Sequence, residues 1–269
     1  MKAAIVFDSA GTLLRTYRIA RNVSEKNIVK GVETTTLTCS EKGRALILLY
    51  AHSKSIIDAP ENELLSSFLK SNKIHFGVAC SCGVVTMTEI SEILDSDSTA
   101  TTGDLQACIR KVWNSCKKLP VVAMSSGVIV NKNLKNIEYT ITSGGRPFSG
   151  AKKTIQTLQE MNIATYVASG DRTDKLLKMA DYLGIPHGNV HGISTPSVKA
   201  QVVKDLKKEY DTVFMVGDGV NDIAAMKEAD VSVLTEQQNS RKPKVLVESA
   251  DHIIKEVSEV IGIAEKYIK

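Results

Sequence analysis

Short apolar runs alternate with helical patterns along much of the chain. The first run, 3–7, places β-branched and aromatic residues one after another without helical spacing, which is typical of a buried strand. Similar runs that predict short strands lie at 163–168, 213–216, 231–234 and 252–254. Strands separated by helical segments favour a parallel sheet with helices packed on it. The pattern therefore predicts an α/β fold.

Apolar residues at helical spacing predict four helices in the second half of the chain. They lie over 150–161, from the N-cap candidates 171–174 to 183, over 198–209 and over 256–268. Gly184 predicts the end of the second helix, because glycine readily takes the left-handed conformation found at helix ends. Thr195 and Pro196 predict the start of the third helix, since threonine serves as an N-cap and proline fits the first turn.

Residues 16–139 separate the first predicted strand from the others and follow a pattern of their own. Threonine-rich or apolar stretches predict strand structure over 33–39, 76–87 (one or two strands) and 121–130. Helices are predicted over 61–69, with Pro60 in the first turn, and from Thr102 onward. The apolar run 44–50 is too short to decide between strand and helix. The insertion is therefore expected to form a second α/β domain.

A carboxylate stands directly after the first predicted strand. Asp8 is followed by three small residues, Ser9, Ala10 and Gly11, which allow the backbone to turn sharply. Asp8 is thus expected at the carboxyl end of a parallel strand, where open α/β sheets bind ligands. A carboxylate exposed there can attack phosphorus and form an aspartyl phosphate. The alternative interpretation is a strand that ends in an ordinary aspartate-containing turn.

Three later segments carry polar residues at comparable places. They are Val167 to Asp171 after the second strand, Pro196 to Lys199 at a helix start, and Met215 to Asp222 after the third strand. The last segment places two carboxylates, Asp218 and Asp222, four residues apart. Residues four apart on a helical turn share one face. Asp222 could therefore hold a water on a metal ion bound by Asp218, or it could hold Lys199.

In this order, the four segments resemble the motifs of the haloacid dehalogenase (HAD) superfamily of phosphoryl-transfer enzymes. Within it they are most similar to the catalytic domain of P-type ATPases, whose signatures include Asp-x-Thr-Gly-Thr, Thr-Gly-Asp and Gly-Asp-Gly-x-Asn-Asp. The resemblance covers residues 1 to about 15 and roughly 137–269, and does not extend to the segment between them. It implies a Rossmann-like HAD core with a parallel sheet, formed by 1–15 and 140–269, and an inserted α/β cap or nucleotide-binding-like domain over 16–139.

The resemblance also implies a Mg²⁺-dependent phosphohydrolase that works through a phosphorylated Asp8. A cation is needed between a carboxylate nucleophile and an anionic phosphate, and oxygen-ligated Mg²⁺ suits that position. The implied catalytic residues are Asp8, Ser169 and Lys199, and the implied phosphate-binding residues are Ser169, Gly170 and Lys199. The implied metal ligands are Asp8, the backbone carbonyl of Ala10, and Asp218. Behind them, the supporting residues are expected to be Asp171, Asn221 and Asp222, although a helix N-cap explains Asp171 equally well.

Ala10 departs from most phosphatases of the superfamily, which carry a second aspartate there as general acid and base. Such assistance is typically worth ~10² to 10⁴ in rate. P-type ATPases place threonine at this position, whereas phosphonatases place alanine and form a Schiff base with a lysine of the cap. Two alternatives therefore stay open: a low-turnover regulatory module that binds phosphate or nucleotide, and a phosphonatase-like hydrolase. The Lys-Gly-Ala-Pro-Glu signature of some ATPase nucleotide-binding domains is absent from the insertion.

Composition narrows the class of protein only a little. Hydrophobic and charged contents of 43% and 24% are ordinary for a globular protein. The net charge of +4 argues neither for nor against nucleic acid, and the resemblance implies instead a small phosphorylated substrate, with a nucleotide as one candidate. No apolar run approaches the ~18 residues of a membrane span, and Asp8 interrupts the apolar start too early for a signal peptide. The five cysteines, an odd number without small-scaffold spacing, favour a reducing cytoplasm.

Soft metal ligands are offered by Cys80 and Cys82 in the predicted strand structure over 76–87, and by His75 directly before it. Structural sites for such metals usually need four ligands. Because cysteines two residues apart on a strand point to one face, packing against a buried face is the favoured interpretation.

Overall fold

The computed structural model describes residues 2–116, 123–238 and 242–268. The strands of these residues are β1 (Ala3–Phe7), β2 (Leu14–Asn22), β3 (Ile28–Lys30), β4 (Arg44–Leu49), β5 (Phe76–Ser81), β6 (Ala123–Asn131), β7 (Asn136–Pro147), β8 (Ile163–Ala168), β9 (Val190–His191), β10 (Thr212–Gly217), β11 (Val231–Thr235) and β12 (His252–Ile254). Their helices are α1 (Thr34–Cys39), α2 (Ser53–Asp58), α3 (Leu65–Ser71), α4 (Met87–Ser96), α5 (Thr102–Ser115), α6 (Ala151–Glu160), α7 (Thr173–Leu183), α8 (Pro196–Leu206), α9 (Ile223–Glu228), α10 (Lys244–Val247) and α11 (Glu259–Tyr267). Short 3₁₀ turns lie at His187–Asn189 and Val220–Asp222. None of the described helices has both the length and the apolar character needed to cross a membrane.

The chain divides into two units. The first comprises Met1–Thr16 and Gly145–Lys269, and the second comprises Tyr17–Gly144. The described residues form two six-stranded sheets, with the order β12-β11-β10-β1-β8-β9 in one and β3-β2-β7-β6-β4-β5 in the other.

The sheet of the first unit is parallel throughout, and β1 lies near its centre. Phe7 pairs with Val167 of β8 on one side and with Val216 of β10 on the other. Since the three strands run in the same direction and in register, Asp8 and the loops that follow β8 and β10 lie at one edge of the sheet. All five residues of β1 are buried, which explains its unbroken apolar sequence. The predicted α/β fold with a parallel sheet is confirmed.

The predicted strands and helices of the first unit are confirmed with small shifts at their ends. Gly184 ends α7 with a φ of 84°, and the hydroxyl of Thr195 accepts a hydrogen bond from the Val198 amide at the start of α8. α7 begins within the predicted stretch 171–174, but the expected side-chain cap is wrong. Arg172 takes the N-cap position of that helix and makes no capping hydrogen bond with its side chain.

The sheet of the second unit separates two apolar layers. Ile47 of β4 packs in a large cluster that includes Ile56, Phe68, Ile90 and Ile109 from α2, α3, α4 and α5. Its neighbour Leu46 belongs to a smaller cluster with Leu37 of α1, as expected when consecutive strand residues face opposite sides. The run 44–50, which the sequence left undecided, is a strand because β4 pairs with both β5 and β6.

The strand predicted over 33–39 is wrong, because Thr34–Cys39 forms the helix α1. Leu37 of this helix packs against the sheet, and the hydroxyl of Thr38 donates a hydrogen bond to the Thr34 carbonyl at 2.7 Å. Threonine favours strands only weakly, so packing against the sheet outweighs its propensity here.

Two other predictions for this unit fail at their boundaries. The helix predicted over 61–69 begins only at Leu65, so Pro60 lies outside its first turn. The stretch 76–87 contains the single strand β5, and Thr86 then caps α4 by accepting a hydrogen bond from the Glu89 amide.

The remaining predictions for this unit hold within the described residues. The helix expected from Thr102 is α5, whose N-cap Thr101 and third residue Asp104 form a reciprocal capping box. The strand expected over 121–130 is β6, and Val121 and Val122 lie outside the described residues.

Cys80 and Cys82 lie at the edge strand β5 of this unit. Cys80 packs against the smaller apolar cluster, whereas the thiol of Cys82 donates to the carbonyl of Cys39 at 3.5 Å. Both are partly buried, so the expected core packing describes Cys80 better than Cys82. His75 is five residues away from Cys80, which corresponds to roughly 16 Å of extended chain. That separation is too large for His75 and Cys80 to ligate one ion.

Candidate active site

Asp8 is a buried carboxylate at the carboxyl end of β1. Its amide donates to the Val216 carbonyl of β10 at 2.9 Å, and the residue is only 4% exposed. The turn that follows is tight, because the amides of Leu13 and Leu14 both donate to the Ser9 carbonyl at 2.9 Å. Gly11 in this turn has a φ of 78°, a conformation that glycine adopts without a steric penalty. The local sequence therefore places the carboxylate and holds it rigidly.

Lys199 reaches Asp8 from the first turn of α8. Its ammonium is fully buried and donates to Asp8 Oδ1 and to Asp222 Oδ1, each at 2.6 Å. Burial lowers the pKa of this ammonium, but the two carboxylates outweigh burial and raise the pKa of Lys199 above its ordinary value. Lys199 is therefore a permanent positive charge at the edge of the sheet.

Asp222 holds Lys199 with one of its oxygens and the loop after β10 with the other. Oδ1 accepts from Lys199, and Oδ2 accepts from the amides of Asp218 and Gly219 at 3.1 Å. The side chain also lies against Gly217, where an added Cβ would come within 2.5 Å of Oδ2. Because its oxygens are already engaged, Asp222 is better suited to orient the lysine than to bind an ion directly.

The burial of Asp8 changes its acidity. Burial, followed by repulsion from Asp222, raises the pKa of Asp8 from 3.8 to about 8, although Lys199 acts in the opposite direction. A cation beside the carboxylate would favour its ionised form and reverse this shift.

Asp218 completes a group of three carboxylates. One oxygen each from Asp8, Asp218 and Asp222 lies within 4.8 Å of the others. The Asp218 carboxylate is in close contact with Gly11, where a Cβ would come within 2.2 Å of Oδ2. Carboxylate oxygens are the donors that Mg²⁺ prefers, so this donor set fits a hard divalent cation. The third expected ligand is the backbone carbonyl of Ala10. This residue is half-buried in the turn that follows Asp8, and it forms an isolated β-bridge with Leu14.

Lys242 is a residue of the site that sequence reasoning missed. Its ammonium donates to the backbone carbonyl of Asp218 at 2.5 Å and to Asp218 Oδ2 at 3.0 Å. It lies in a polar stretch between β11 and α10, where no periodicity or motif distinguishes one lysine from another. Only the tertiary structure brings this ammonium to the carboxylates.

Ser169 and Asp171 interact with each other in the loop after β8. The Ser169 hydroxyl donates to Asp171 Oδ2 at 3.4 Å, and the Asp171 amide donates to the Ser169 hydroxyl at 3.3 Å. Asp171 therefore supports Ser169 and does not cap α7. Gly170 is exposed beside them, with only the Ser194 carbonyl near its Cβ position, at 3.8 Å. Because β8 pairs with β1, this loop lies at the same edge of the sheet as Asp8.

The structure thus brings together some of the predicted residues and leaves others apart. Asp8, Lys199, Asp218 and Asp222 form one connected cluster, and Ser169 with Asp171 forms a hydrogen-bonded pair in the adjacent loop. Asn221 is exposed, and its side-chain oxygen lies against Gly219. The position of Ala10 contributes no carboxylate to the cluster.

Comparisons with known proteins identify the family of this chain and several of its relatives. A family model described as haloacid dehalogenase-like hydrolase matches residues 2–230. A soluble P-type ATPase-like phosphatase of Methanocaldococcus jannaschii is 30% identical over 270 residues, which covers 100% of this chain and 95% of the relative. A copper-transporting ATPase of Helicobacter pylori is 25% identical over 281 residues, and this chain spans only 34% of its length. A solved zinc-transporting PIB-type ATPase in the E2.Pi state is 15% identical with a TM-score of 0.48, over 98% of this chain and 40% of that one, a likeness too low to argue from.

Proposed function

Because the chain belongs to the haloacid dehalogenase-like hydrolase family, we propose that it is a Mg²⁺-dependent phosphohydrolase in which Asp8 is the nucleophile. The observation that carries the proposal is the buried Asp8 carboxylate, whose Oδ1 is held by Lys199. No described residue donates a hydrogen bond to Asp8 Oδ2, so this oxygen is available for attack. A carboxylate fixed on one side and available on the other is suited to form an acyl phosphate.

The reaction has two displacement steps at phosphorus. In the first, Asp8 Oδ2 attacks the phosphorus of a phosphate ester, and the bond to the leaving oxygen breaks, so that this oxygen leaves with the electron pair and takes a proton from water. In the second, water attacks the same phosphorus and gives up one proton to the solvent, while the bond to Asp8 breaks and regenerates the carboxylate. Lys199 lies beside Asp8 and offsets the negative charge that approaches it. The loop of Ser169 and Gly170 is the proposed source of further donors to the phosphoryl oxygens.

Mg²⁺, when bound, neutralises the charge between the carboxylate and the phosphate. The residues that would hold it are Asp8, Asp218 and the carbonyl of Ala10. Asp222 and Lys199 position Asp8, while Asp171 supports Ser169 and Asn221 belongs to the same loop as Asp222.

The substrate proposed is a small phosphorylated compound, with a nucleotide as one candidate. The relative from Methanocaldococcus jannaschii, which matches along 95% of its length, is named a phosphatase, and this supports hydrolysis of phosphate esters. This chain spans about a third of the copper-transporting ATPases, so transport does not follow from that similarity. We assign selection of the substrate to the second unit, which would act as the inserted cap domain that the sequence predicts.

A screen of phosphate monoesters, nucleotides and a phosphonate, with Mg²⁺ or with a chelator, tests the proposal. The expected result is release of phosphate that requires Mg²⁺ and is absent from the Asp8→Asn variant. Turnover that persists in this variant, or that is indifferent to the metal, would contradict it. Hydrolysis of the phosphonate alone would instead favour the phosphonatase-like alternative.

Ala10 favours a second candidate function, a module that binds phosphate or nucleotide but turns it over slowly. Without a carboxylate two residues after Asp8, general acid-base assistance worth ~10² to 10⁴ in rate is missing from that position. The same screen separates the two functions, since a ligand that raises the melting temperature without being hydrolysed indicates the binding module.

A further inference from the structure

Lys242 and a divalent cation require the same carboxylate. The Lys242 ammonium contacts Asp218 twice, through the backbone carbonyl at 2.5 Å and through Oδ2 at 3.0 Å. Gly11 closes another side of that carboxylate, because a Cβ there would lie within 2.8 Å of both oxygens. The directions from which a cation can approach Asp218 are therefore limited, and Lys242 occupies one of them.

The contact differs from an ordinary surface ion pair. The side chain of Lys242 is only 4% exposed and that of Asp218 is 20% exposed. Lys244, two residues later, is 88% exposed and lies 3.4 Å from Glu248, which is 61% exposed. Screening by water makes the second pair weak, whereas the partly buried contact of Lys242 is screened much less.

The charge of the cluster depends on Lys242. Asp8, Asp218 and Asp222 carry three negative charges when ionised, and Lys199 offsets one of them. With Lys242 the cluster carries one additional positive charge, and without it the cluster is more negative by one charge. A divalent cation is attracted more strongly to the second arrangement, even if it uses the Asp218 oxygen that Lys242 does not contact.

We propose that Lys242 is a built-in competitor for the divalent metal at Asp218. The proposal rests on the function proposed above, in that Asp218 is taken as a metal ligand. Metal binding displaces the ammonium from the carboxylate or proceeds against its charge, so Lys242 weakens the affinity for Mg²⁺. The site is then filled by Mg²⁺ at a higher concentration than it would be if Lys242 were absent.

Calorimetric titration of MgCl₂ into the chelator-treated full chain measures this competition without any assay of activity. Lys242→Met is expected to tighten Mg²⁺ binding about tenfold, which corresponds to about 1.4 kcal/mol. It should also enlarge the rise in melting temperature that Mg²⁺ produces. Lys244→Met, from the same stretch, is the matched control and should leave both quantities unchanged. Lys242→Arg retains the charge and should keep the affinity near that of the parent.

An affinity for Mg²⁺ that is unchanged or weaker in Lys242→Met overturns the inference. If that variant fails to fold, Lys242→Gln removes the same charge and gives the same test. Asp218→Asn separates this failure from failure of the proposed function. If Asp218→Asn binds Mg²⁺ as tightly as the parent, the metal site itself is wrong, whereas weaker binding in Asp218→Asn with no effect of Lys242→Met rejects only the competition.

Discussion

Three buried charges at the end of β1 depend on one another. Lys199 is fully buried and pairs with both Asp8 and Asp222. Burying charges costs free energy that is recovered only when every partner is present, so the loss of one member leaves an uncompensated charge. Such an arrangement contributes little net stability. Buried charges that perturb one another are typical of functional sites.

Replacing Asp8 by asparagine should abolish turnover, because an amide keeps the shape of the side chain and loses the nucleophile. We expect phosphate release to fall on the order of 10³-fold or more. Steady-state phosphate release measures this, with Asp174→Asn, an exposed carboxylate, as the control. Activity near the parent level would remove Asp8 from the mechanism.

The raised pKa of Asp8 makes stability depend on pH. In the unfolded chain the group titrates near 3.8, and in the folded protein near 8, so between these values the folded state retains a proton that the unfolded state has lost. The stability that Asp8 contributes by retaining this proton is therefore full below about pH 3.8, and it is lost as the pH rises through about 8. Without Mg²⁺, the melting temperature of Asp8→Asn relative to the parent should rise from pH 5 to pH 8. A difference that stays constant over this range would show that Asp8 is already ionised at pH 5.

Ala10 is expected to make breakdown of the phosphoenzyme slow. No carboxylate at that position activates water, so an aspartyl phosphate should accumulate, as a burst followed by a slower steady state. Ala10→Asp should speed breakdown more than formation, by up to the ~10² to 10⁴ that such assistance typically provides. Acid-quenched labelling with a phosphate donor measures the intermediate. No labelled protein in the parent, together with no gain from Ala10→Asp, would mean that dephosphorylation does not limit the rate.

Among the structural elements, the parallel strands position the loops that carry the carboxylates. The register of β1 with β8 and β10 brings the loops that follow them to one edge of the sheet. The loop after β10 is then folded onto Asp222, which accepts hydrogen bonds from two of its amides. Strand order places the carboxylates roughly, and these hydrogen bonds fix them.

Gly217→Ala should disturb that loop. The added Cβ would come within 2.5 Å of Asp222 Oδ2, so either the loop or the carboxylate must move, and Lys199 with it. We expect a loss of about 1–3 kcal/mol in stability from overpacking, and a fall in activity beyond what that loss explains. Chemical denaturation and steady-state kinetics measure the two effects. Gly188→Ala, where a Cβ meets nothing within 4 Å, is the control, and an equal response from both variants would contradict the argument.

For the molecule as a whole, the chemistry-bearing residues predicted from the sequence all lie in the first unit. The cluster of Asp8, Lys199, Asp218 and Asp222 is built entirely from segments of Met1–Thr16 and Gly145–Lys269. The second unit has its own sheet and its own apolar layers. A unit with an independent core can change its surface without disturbing the reacting groups, which suits the selection of substrates that we assign to it.

Local sequence was sufficient for the main strands and helices of the first unit because their signals are short in range. Unbroken apolar runs mark strands that are buried on both faces, and a polar residue directly after each run marks the edge where ligands bind. Strand order could therefore predict that Asp8 and Asp218 lie at one edge of the sheet, whereas Lys199, which lies on a helix, was expected there only from the resemblance to the HAD motifs. The roles given to these residues stay predictions until the variants are measured.

Other features depended on neighbours that are distant in the chain. The threonine-rich α1 is a helix because Leu37 packs on a sheet formed by other segments, and local propensity is too weak to oppose that. The long strands β2 and β7 have no apolar run that would identify them, since buried and half-buried residues are mixed along them without a regular period. Lys242 contacts a carboxylate 24 positions earlier, and no pattern around it indicates that partner. Periodicity reports which face of an element is buried, but the pairing of one charged side chain with another is decided only when the chain is packed.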